Sequence, residues 1–370
     1  MSYDWKEYNL TDNPFLFRPS INITAADRRL NGKLFCKSIV DREFKKLKRL
    51  IERDIYAIYV NSQESVLGTG KSALMAAVYW EIQNSKTAIW VESTAGYSAS
   101  SILGRVVDSM VADGMFDEML DFIGDVTFNR IKELLSTHYS KPSPIMINAL
   151  LTIFSVETWE APKKFANIRR SVLISSAIEL FGYLLSLMMV CGYTKPIIFI
   201  DQFEEYVLAH RGPARLQKLG NEINDLLRAI QHKGILIFSL HPNAELILMS
   251  AAGEWVRTFA PITTQTMVNL RPMTENEAIE LAAYYLNDYR IDKKMRDKIY
   301  PFSKNVLKYL INKTKFTRSY LTALHNSLVE GALNGYLKIN EDFLSNDENH
   351  DNILLDASNT WVEFLATIKE

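Results

Sequence analysis

The sequence contains little cysteine, almost no net charge and no long hydrophobic run. Among its 370 residues, two cysteines, Cys36 and Cys191, lie far apart and outside any metal-ligand spacing. This excludes a disulfide scaffold and a zinc site of the usual spacing, and it is typical of a reducing, cytoplasmic compartment. The formal net charge is -1, so no overall basic field attracts nucleic acid. DNA binding would need a local patch or a partner.

No segment predicts a membrane span. The most apolar stretch, residues 180–191, has only about a dozen uninterrupted apolar residues, whereas a spanning helix needs roughly 20. We therefore interpret residues 171–191 as a buried core helix. The N-terminal residues lack the charged-then-apolar layout of a signal peptide.

Short apolar runs alternate with helical patterns over the first two thirds of the chain. The runs that predict strands are residues 55–61, 87–92, 197–200 and 235–240. Near-continuous apolar strands that alternate with helices are typical of an α/β fold, in which helices cover both faces of a parallel sheet. After Pro261 we expect no further strong strand, and helical patterns continue to about residue 345.

Changes in composition and pattern predict four regions. They are an N-terminal arm and helix (1–50), an α/β core (51–265) with a helical insertion at about 113–170, a small all-helical domain (266–345) and a tail (346–370).

A glycine-containing segment follows the first predicted strand and opens a predicted helix. Its residues are Gly68, Thr69, Gly70, Lys71, Ser72 and Ala73. The glycines let the backbone approach a phosphate group, and the amides at the start of the helix can donate hydrogen bonds to it. Lys71 would reach the β- and γ-phosphates of a nucleotide, and the Ser72 hydroxyl would bind Mg²⁺. A surface turn would not explain the buried strand. The segment therefore predicts a P-loop for ATP or ADP with Mg²⁺, although Ser65 stands where the strict pattern has glycine.

Asp201 ends the third predicted strand, 130 residues after Lys71. Parallel sheets bind ligands at the carboxyl ends of their strands, so we expect Asp201 to hold Mg²⁺, usually through a water molecule. The next residue is Gln202, where many P-loop ATPases have a Glu that polarises the attacking water. If a helix follows, Glu204 and Glu205 lie on the same face as Asp201, and either can approach the γ-phosphate, with Glu204 preferred. Alternatively, both glutamates are solvated charges at a helix start, and hydrolysis is slow.

These motifs resemble those of a known class of ATPases. The segment Asp201-Gln-Phe-Glu-Glu205 resembles the acidic motif of STAND-type signalling ATPases, and the order of elements resembles the AAA+ class, in particular Orc1/Cdc6-like ATPases. Asn13-Pro-Phe15, followed by a helix with Asp41-Arg42-Glu43, is similar to the start of that group. The resemblance covers about residues 13–345 and implies a P-loop NTPase core followed by a helical lid at 266–345. The insertion at 113–170 has no counterpart in it.

The resemblance also implies roles for residues outside the two motifs. In AAA+ proteins, the strand next to the one that ends in the acidic residue is followed by a polar residue that senses the γ-phosphate. Ser239 is the first candidate for this role here. His241 is the second candidate, and it could instead cap a turn. Arg318 begins a lid helix, where its charge opposes the helix dipole, and is the candidate lid sensor. Arg257 is the candidate arginine finger, supplied to a neighbouring copy. Both arginines could instead be surface residues.

Together these features predict an AAA+/STAND-like ATPase whose nucleotide-driven lid closure controls a protein partner or a homo-oligomer. A nucleotide-gated scaffold with little turnover is an alternative, which Gln202 favours. A DNA-associated loader is another alternative. A basic run at 163–170 favours that reading, although such runs are more often solvated loops. The 25 or so residues after the lid are too few for the winged-helix DNA reader of Orc1/Cdc6-like proteins.

Overall fold

The computed structural model divides the chain into two compact units. The residues that it describes are 4–17, 19–62, 68–92, 99–165, 174–203, 207, 214, 217, 221, 227–251, 261–346 and 352–354. We call Met1–Lys45, Ser62–Ala77 and Asn269–Glu370 the helical unit, and Lys46–Asn61 with Val78–Val268 the sheet unit. Each unit has its own hydrophobic core.

The sheet unit is built on a parallel sheet. The strands of the described residues are β1 (Ala57–Ser62), β2 (Ala88–Glu92), β3 (Ile197–Asp201), β4 (Ile235–Ser239) and β5 (Met267–Leu270), in the spatial order β2-β3-β4-β1-β5. The pairs β1–β4, β3–β4 and β2–β3 are parallel. Strands β1, β3 and β4 are buried along their whole length, as expected for apolar strands covered on both faces. The predicted α/β fold with a parallel sheet is therefore confirmed.

Twelve α-helices have bounds within the described part of the chain. They are α1 (Asp41–Glu52), α2 (Lys71–Ile82), α3 (Ala99–Ala112), α4 (Met115–Ile123), α5 (Phe128–Leu135), α6 (Pro144–Phe154), α7 (Ile174–Val190), α8 (Pro242–Ala251), α9 (Glu275–Asp288), α10 (Lys304–Thr314), α11 (Thr317–Leu333) and α12 (Glu341–Leu344). Short 3-10 helices occupy Trp5–Tyr8, Lys37–Val40 and Thr158–Glu160.

Helices α4, α5 and α6 lie in the region where the sequence analysis expected a helical insertion. Local sequence explains their limits. Gly114 and Gly124, with φ of 75° and 69°, flank α4, and the Thr127 hydroxyl accepts the Arg130 amide at the start of α5. Pro144 opens α6, where its missing N–H costs nothing. The buried faces of these helices join the core of the sheet unit, to which α7 also contributes.

Helix α7 contains the apolar stretch that the sequence analysis interpreted as a core helix. Its side chains at Leu180, Phe181, Leu184 and Leu187 are at most 1% exposed and lie in the core of the sheet unit. In the part of the chain that the structure describes, no helix is both long and apolar enough to cross a bilayer.

In the helical unit, N-terminal residues pack with helices from the other end of the chain. Leu10 forms an antiparallel bridge with Arg290, and the Thr11 amide donates to the Tyr289 carbonyl at 2.9 Å. Tyr8, Leu10 and Phe15 are almost completely buried in the same cluster as α9, α10 and α11. The N-terminal segment is thus a structural part of the helical unit.

The expectation that no strand follows Pro261 was wrong. Strand β5 lies next to β1 in the sheet, and its burial alternates along Met267–Leu270. Strand β5 has only four residues. An alternating pattern of this length is barely enough to distinguish a strand from a loop. The strand was therefore not visible in the sequence pattern.

Candidate functional site

The glycine-containing segment opens α2, and its described part begins at Gly68. Gly68 and Gly70 have φ of 81° and 96°, in the left-handed region that strains residues with a side chain. The Gly70 carbonyl accepts the Leu74 amide at 2.9 Å, so the helical hydrogen bonds begin directly at the loop. The start of a helix in general presents backbone amides ahead of the first helical hydrogen bond. This arrangement, together with the helix dipole, is suited to an anion.

The side chains around the loop fit a phosphate group. A Cβ placed on Gly70 would meet no atom within 4 Å, so there is open space beside this residue. The Thr69 hydroxyl is buried and has no hydrogen-bond partner among the described residues. Lys71 is only 5% exposed. A buried hydroxyl without a partner has lost its hydration, and a phosphate oxygen would replace the lost hydrogen bond.

Arg318, the predicted lid residue, lies directly against this loop. Its backbone amide donates to the Gly68 carbonyl at 3.0 Å, which satisfies one of the amides that the start of α11 leaves without a helical acceptor. A Cβ on Gly68 would come within 2.6 Å of the Arg318 Cβ. The helical unit therefore brings the start of α11 and the phosphate loop together, through both a main-chain hydrogen bond and close packing.

The acidic strand end has a sharp turn. Asp201 is 2% exposed and is in register with Glu92, the last residue of β2. Gln202 has a φ of 55°, which is uncommon for a residue other than glycine, and Phe203 is already helical. The sequence analysis singled out Gln202 for its side chain, and the structure adds that its backbone makes the turn.

Ser239 helps to hold this turn. It ends β4, which lies between β1 and β3, and it is fully buried. Its Oγ accepts a hydrogen bond from the Phe203 amide at 3.2 Å. A hydroxyl that accepts such a bond keeps its own proton to donate. Ser239 thereby links the ends of the two strands on which the predicted Mg²⁺ ligand and the predicted sensor lie.

His241 is fully buried in the turn between β4 and α8. Its Nδ1 accepts the Asn243 amide at 3.2 Å, which requires that this nitrogen carries no proton. This is the turn-capping contact that the sequence analysis named as the alternative to a sensor role.

Several predicted site residues lie outside the described residues. They are Glu204 and Glu205, the candidate water-polarising residues, Arg257, the candidate finger, Ser65, and the basic residues Arg169 and Arg170. On either side of the two glutamates, Phe203 and Val207 are helical and fully buried. No cluster of three or more His, Cys, Asp or Glu residues suited to a metal ion occurs in the described ranges.

The structure also shows a contact that the sequence analysis missed. The Asn61 side chain, at the end of β1, donates to Glu245 Oε2 at 2.6 Å. The two residues are 184 positions apart, and neither belongs to a motif. Asn61 lies near the end of β1 and Glu245 in the first turn of α8, so no signal in the sequence indicated that the two would meet.

Comparison with known proteins gives similarities of structure only. No protein-family model matches the chain, and no curated protein matches it. Among solved structures, a Walker-type ATPase of Pyrococcus abyssi is 10% identical, with a TM-score of 0.46 over 87% of this chain and 75% of that one. The Orc2 protein of Aeropyrum pernix, solved as ADPNP–ADP complexes, is 12% identical, with a TM-score of 0.47 over 91% and 69%. Cdc6p of Pyrobaculum aerophilum is 12% identical, with a TM-score of 0.44 over 81% and 63%.

Proposed function

We propose that the chain is a P-loop ATPase of the AAA+/STAND type that binds and hydrolyses ATP. Support comes chiefly from the phosphate loop. Two left-handed glycines lead into α2, with open space beside Gly70 and a buried hydroxyl on Thr69. A turn on the surface of the protein needs neither the buried Lys71 nor the hydroxyl without a partner.

The proposed binding residues follow from the chemistry of each group. Backbone amides from Gly68 to Ala73 bind the phosphates, and Lys71 adds a positive charge at the β- and γ-phosphates. Ser72 and Asp201 provide oxygen ligands for Mg²⁺, the latter through water. When bound, Mg²⁺ neutralises the negative charge on the phosphate oxygens.

The residues proposed for hydrolysis are those that would orient the attacking water. Glu204 is the first candidate to polarise it and Glu205 the second, because Gln202 cannot accept a proton. Ser239, held between β1 and β3 at the end of β4, is the proposed γ-phosphate sensor. Arg257 is the proposed finger, acting on a neighbouring copy.

Arg318 is the proposed lid sensor, and residues 266–345 are the proposed lid. The main-chain bond from Arg318 to Gly68 supports this role, because any shift of the phosphate loop on binding nucleotide is passed to the first turn of α11. Closure of the lid with ATP would then control a protein partner or a further copy of the chain.

The test is ATP binding and hydrolysis in a matched pair of variants. Lys71→Ala should weaken ATP binding and lower hydrolysis on the order of 100-fold, as expected when a charged phosphate ligand is lost. Lys132→Ala, which removes an exposed lysine of α5, should leave both unchanged. Competition should favour ATP over GTP. Wild-type ATP affinity in Lys71→Ala would refute the proposal.

Gln202 favours one second candidate, a nucleotide-gated scaffold with little turnover. The two candidates differ in the effect of Glu204→Gln. An ATPase should lose phosphate release in this variant and keep ATP binding, whereas a scaffold should show the same low rate before and after the change. Measuring particle mass and ATP hydrolysis together, with and without duplex DNA at low salt, tests the oligomer and the DNA-associated alternatives.

A further inference from the structure

Asn61 is the last residue but one of β1 and lies ten residues before Lys71. Its side chain is buried, with the residue only 2% exposed. The amide nitrogen donates to Glu245 Oε2 at 2.6 Å and lies 3.6 Å from the Met267 sulfur. The hydrogen bond therefore joins the end of the strand that leads to the phosphate loop to the first turn of α8.

Glu245 is in turn bonded to the turn that follows β4. Its backbone amide donates to the His241 carbonyl at 2.9 Å, and the Leu240 amide donates to the Val60 carbonyl at 2.8 Å. The Asn243 amide donates to His241 Nδ1. Residues 240–245 are thus held at several points, and the bond from Asn61 adds a side-chain link to β1.

The chemistry of the pair favours a tight contact. Burial raises the pKa of the Glu245 carboxyl, and the hydrogen bond from Asn61 offsets part of this rise. The carboxylate also lies in the first turn of α8, where the helix dipole favours a negative charge. A hydrogen bond to a charged acceptor is stronger and more directional than one between neutral groups.

We propose that Asn61 and Glu245 are a positioning pair that fixes the turn after β4, and with it Ser239 and His241, relative to the end of β1. This inference rests on the proposed ATPase function and adds residues to it. Neither side chain need touch the nucleotide. The pair sets the geometry of the residues that sense the γ-phosphate, so it affects the rate of hydrolysis more than the binding of ATP.

A reciprocal exchange of the two functional groups tests the pair. Asn61→Asp places two carboxylates against each other and should lower kcat for ATP about tenfold, because loss of the Asn61–Glu245 hydrogen bond releases the turn that positions the sensor residues. ATP affinity should stay within about twofold. Glu245→Gln keeps an oxygen that accepts the Asn61 amide and should stay close to wild type. The double variant Asn61→Asp/Glu245→Gln again pairs one donor with one acceptor, and kcat should recover.

Backbone hydrogen exchange gives a measurement that does not depend on turnover. The amides of Asn243 and Glu245 should exchange faster in Asn61→Asp and return to the wild-type rate in the double variant. If Asn61→Asp changes neither kcat nor these rates, or if the double variant is as impaired as Asn61→Asp, the positioning pair is refuted. A wild-type chain that hydrolyses no ATP refutes the proposed ATPase, and the exchange rates then still decide whether the pair holds the turn.

Discussion

At the scale of single residues, Gly68 and Gly70 look alike in the sequence but differ in their surroundings. Both have positive φ, so an alanine at either position introduces backbone strain of about 1 kcal/mol or more. At Gly68 the new Cβ would also come within 2.6 Å of the Arg318 Cβ, whereas at Gly70 it would meet nothing within 4 Å. Gly68 therefore allows close packing against Arg318, whereas Gly70 leaves space beside the loop that a ligand can occupy.

We expect Gly68→Ala to lower the free energy of unfolding by about 1–3 kcal/mol more than Gly70→Ala, because it adds overpacking to the backbone strain. Gly70→Ala should instead reduce ATP affinity, because its Cβ enters the open space beside the loop. Chemical denaturation and nucleotide titration of both variants measure the two effects. Equal unfolding free energies for the two variants would contradict this prediction. They would show that Arg318 can move away from the added Cβ without loss of stability.

Some residues of the candidate site were predictable and others were not. Lys71 and Ser72 belong to a contiguous pattern whose chemistry requires those residue types at that spacing. Asn61 and Glu245 are common residue types that meet only because β1 and β4 are neighbours in the sheet. The left-handed backbone of Gln202 was also hidden, because glutamine has no intrinsic preference for that conformation.

At the scale of elements, helix α9 shows how sequence signals at a helix start become interactions. Thr274 and Glu277 form a capping box, in which each side chain bonds the backbone of the other residue. Arg271 adds a two-pronged ion pair to the Glu277 carboxylate. The Arg271 guanidinium, followed by the Thr274 hydrogen bonds, lowers the pKa of Glu277 to about 2.

The lowered pKa predicts how the stability of α9 depends on pH. Because the folded-state pKa lies below the usual value of 4.5, the stabilisation is complete above about pH 4.5 and is lost as the pH falls towards 2. We estimate about 1–2 kcal/mol, after discounting for the partly exposed Arg271. Unfolding curves between pH 2 and 6 should show this loss in the wild type and not in Glu277→Gln.

Glu280→Gln is the matched control, since Glu280 lies on the same helix and is exposed. It should keep the wild-type dependence on pH. An acid dependence in Glu277→Gln identical to that of the wild type would mean that the capping box and ion pair contribute nothing to stability.

The elements of the sheet show where pattern reading succeeds. Strands β1 to β4 are apolar along nearly their whole length, because both faces are covered, and such runs are easy to recognise. Strand β5 has four residues with alternating burial and depends on its neighbour β1 to be a strand at all. Its position in the sheet is a tertiary property that the local sequence does not encode.

At the scale of the whole molecule, the described residues form two hydrophobic cores, and the helical unit draws on three separate stretches of sequence. The sequence analysis treated residues 1–50 as an arm and helix of their own. Contacts such as Leu10 with Arg290 join positions about 280 residues apart, and no periodic pattern reports such pairings. Such long-range pairings are therefore harder to predict from sequence than secondary structure.

Because the two cores are separate, we expect a substitution in one core to destabilise mainly the unit that contains it. Leu310→Ala, in the core of the helical unit, should cost about 2–5 kcal/mol and weaken hydrogen-exchange protection in α9–α11 while β3 and β4 keep theirs. Leu187→Ala, in the core of the sheet unit, should give the reverse pattern. Equal loss of protection throughout the described chain in both variants would indicate a single cooperative unit.

The hydrogen bond between residue 318 and Gly68 is made by main-chain atoms and does not involve the arginine side chain. Residue 318 therefore has two functions that can be tested separately, the charge of its side chain and the main-chain link to the phosphate loop. Any amino acid except proline at position 318 keeps the mechanical link between α11 and the phosphate loop. Arg318→Ala therefore removes the charge and the side-chain atoms beyond Cβ that lie near Gly68, and it keeps the main-chain link. Arg318→Pro removes the charge and the link, at a position in the first helical turn where proline is tolerated. Arg318→Ala and Arg318→Pro both lack the charge, and only the proline variant lacks the amide N–H. The difference in their ATP hydrolysis therefore measures how much this one hydrogen bond couples the phosphate loop to α11.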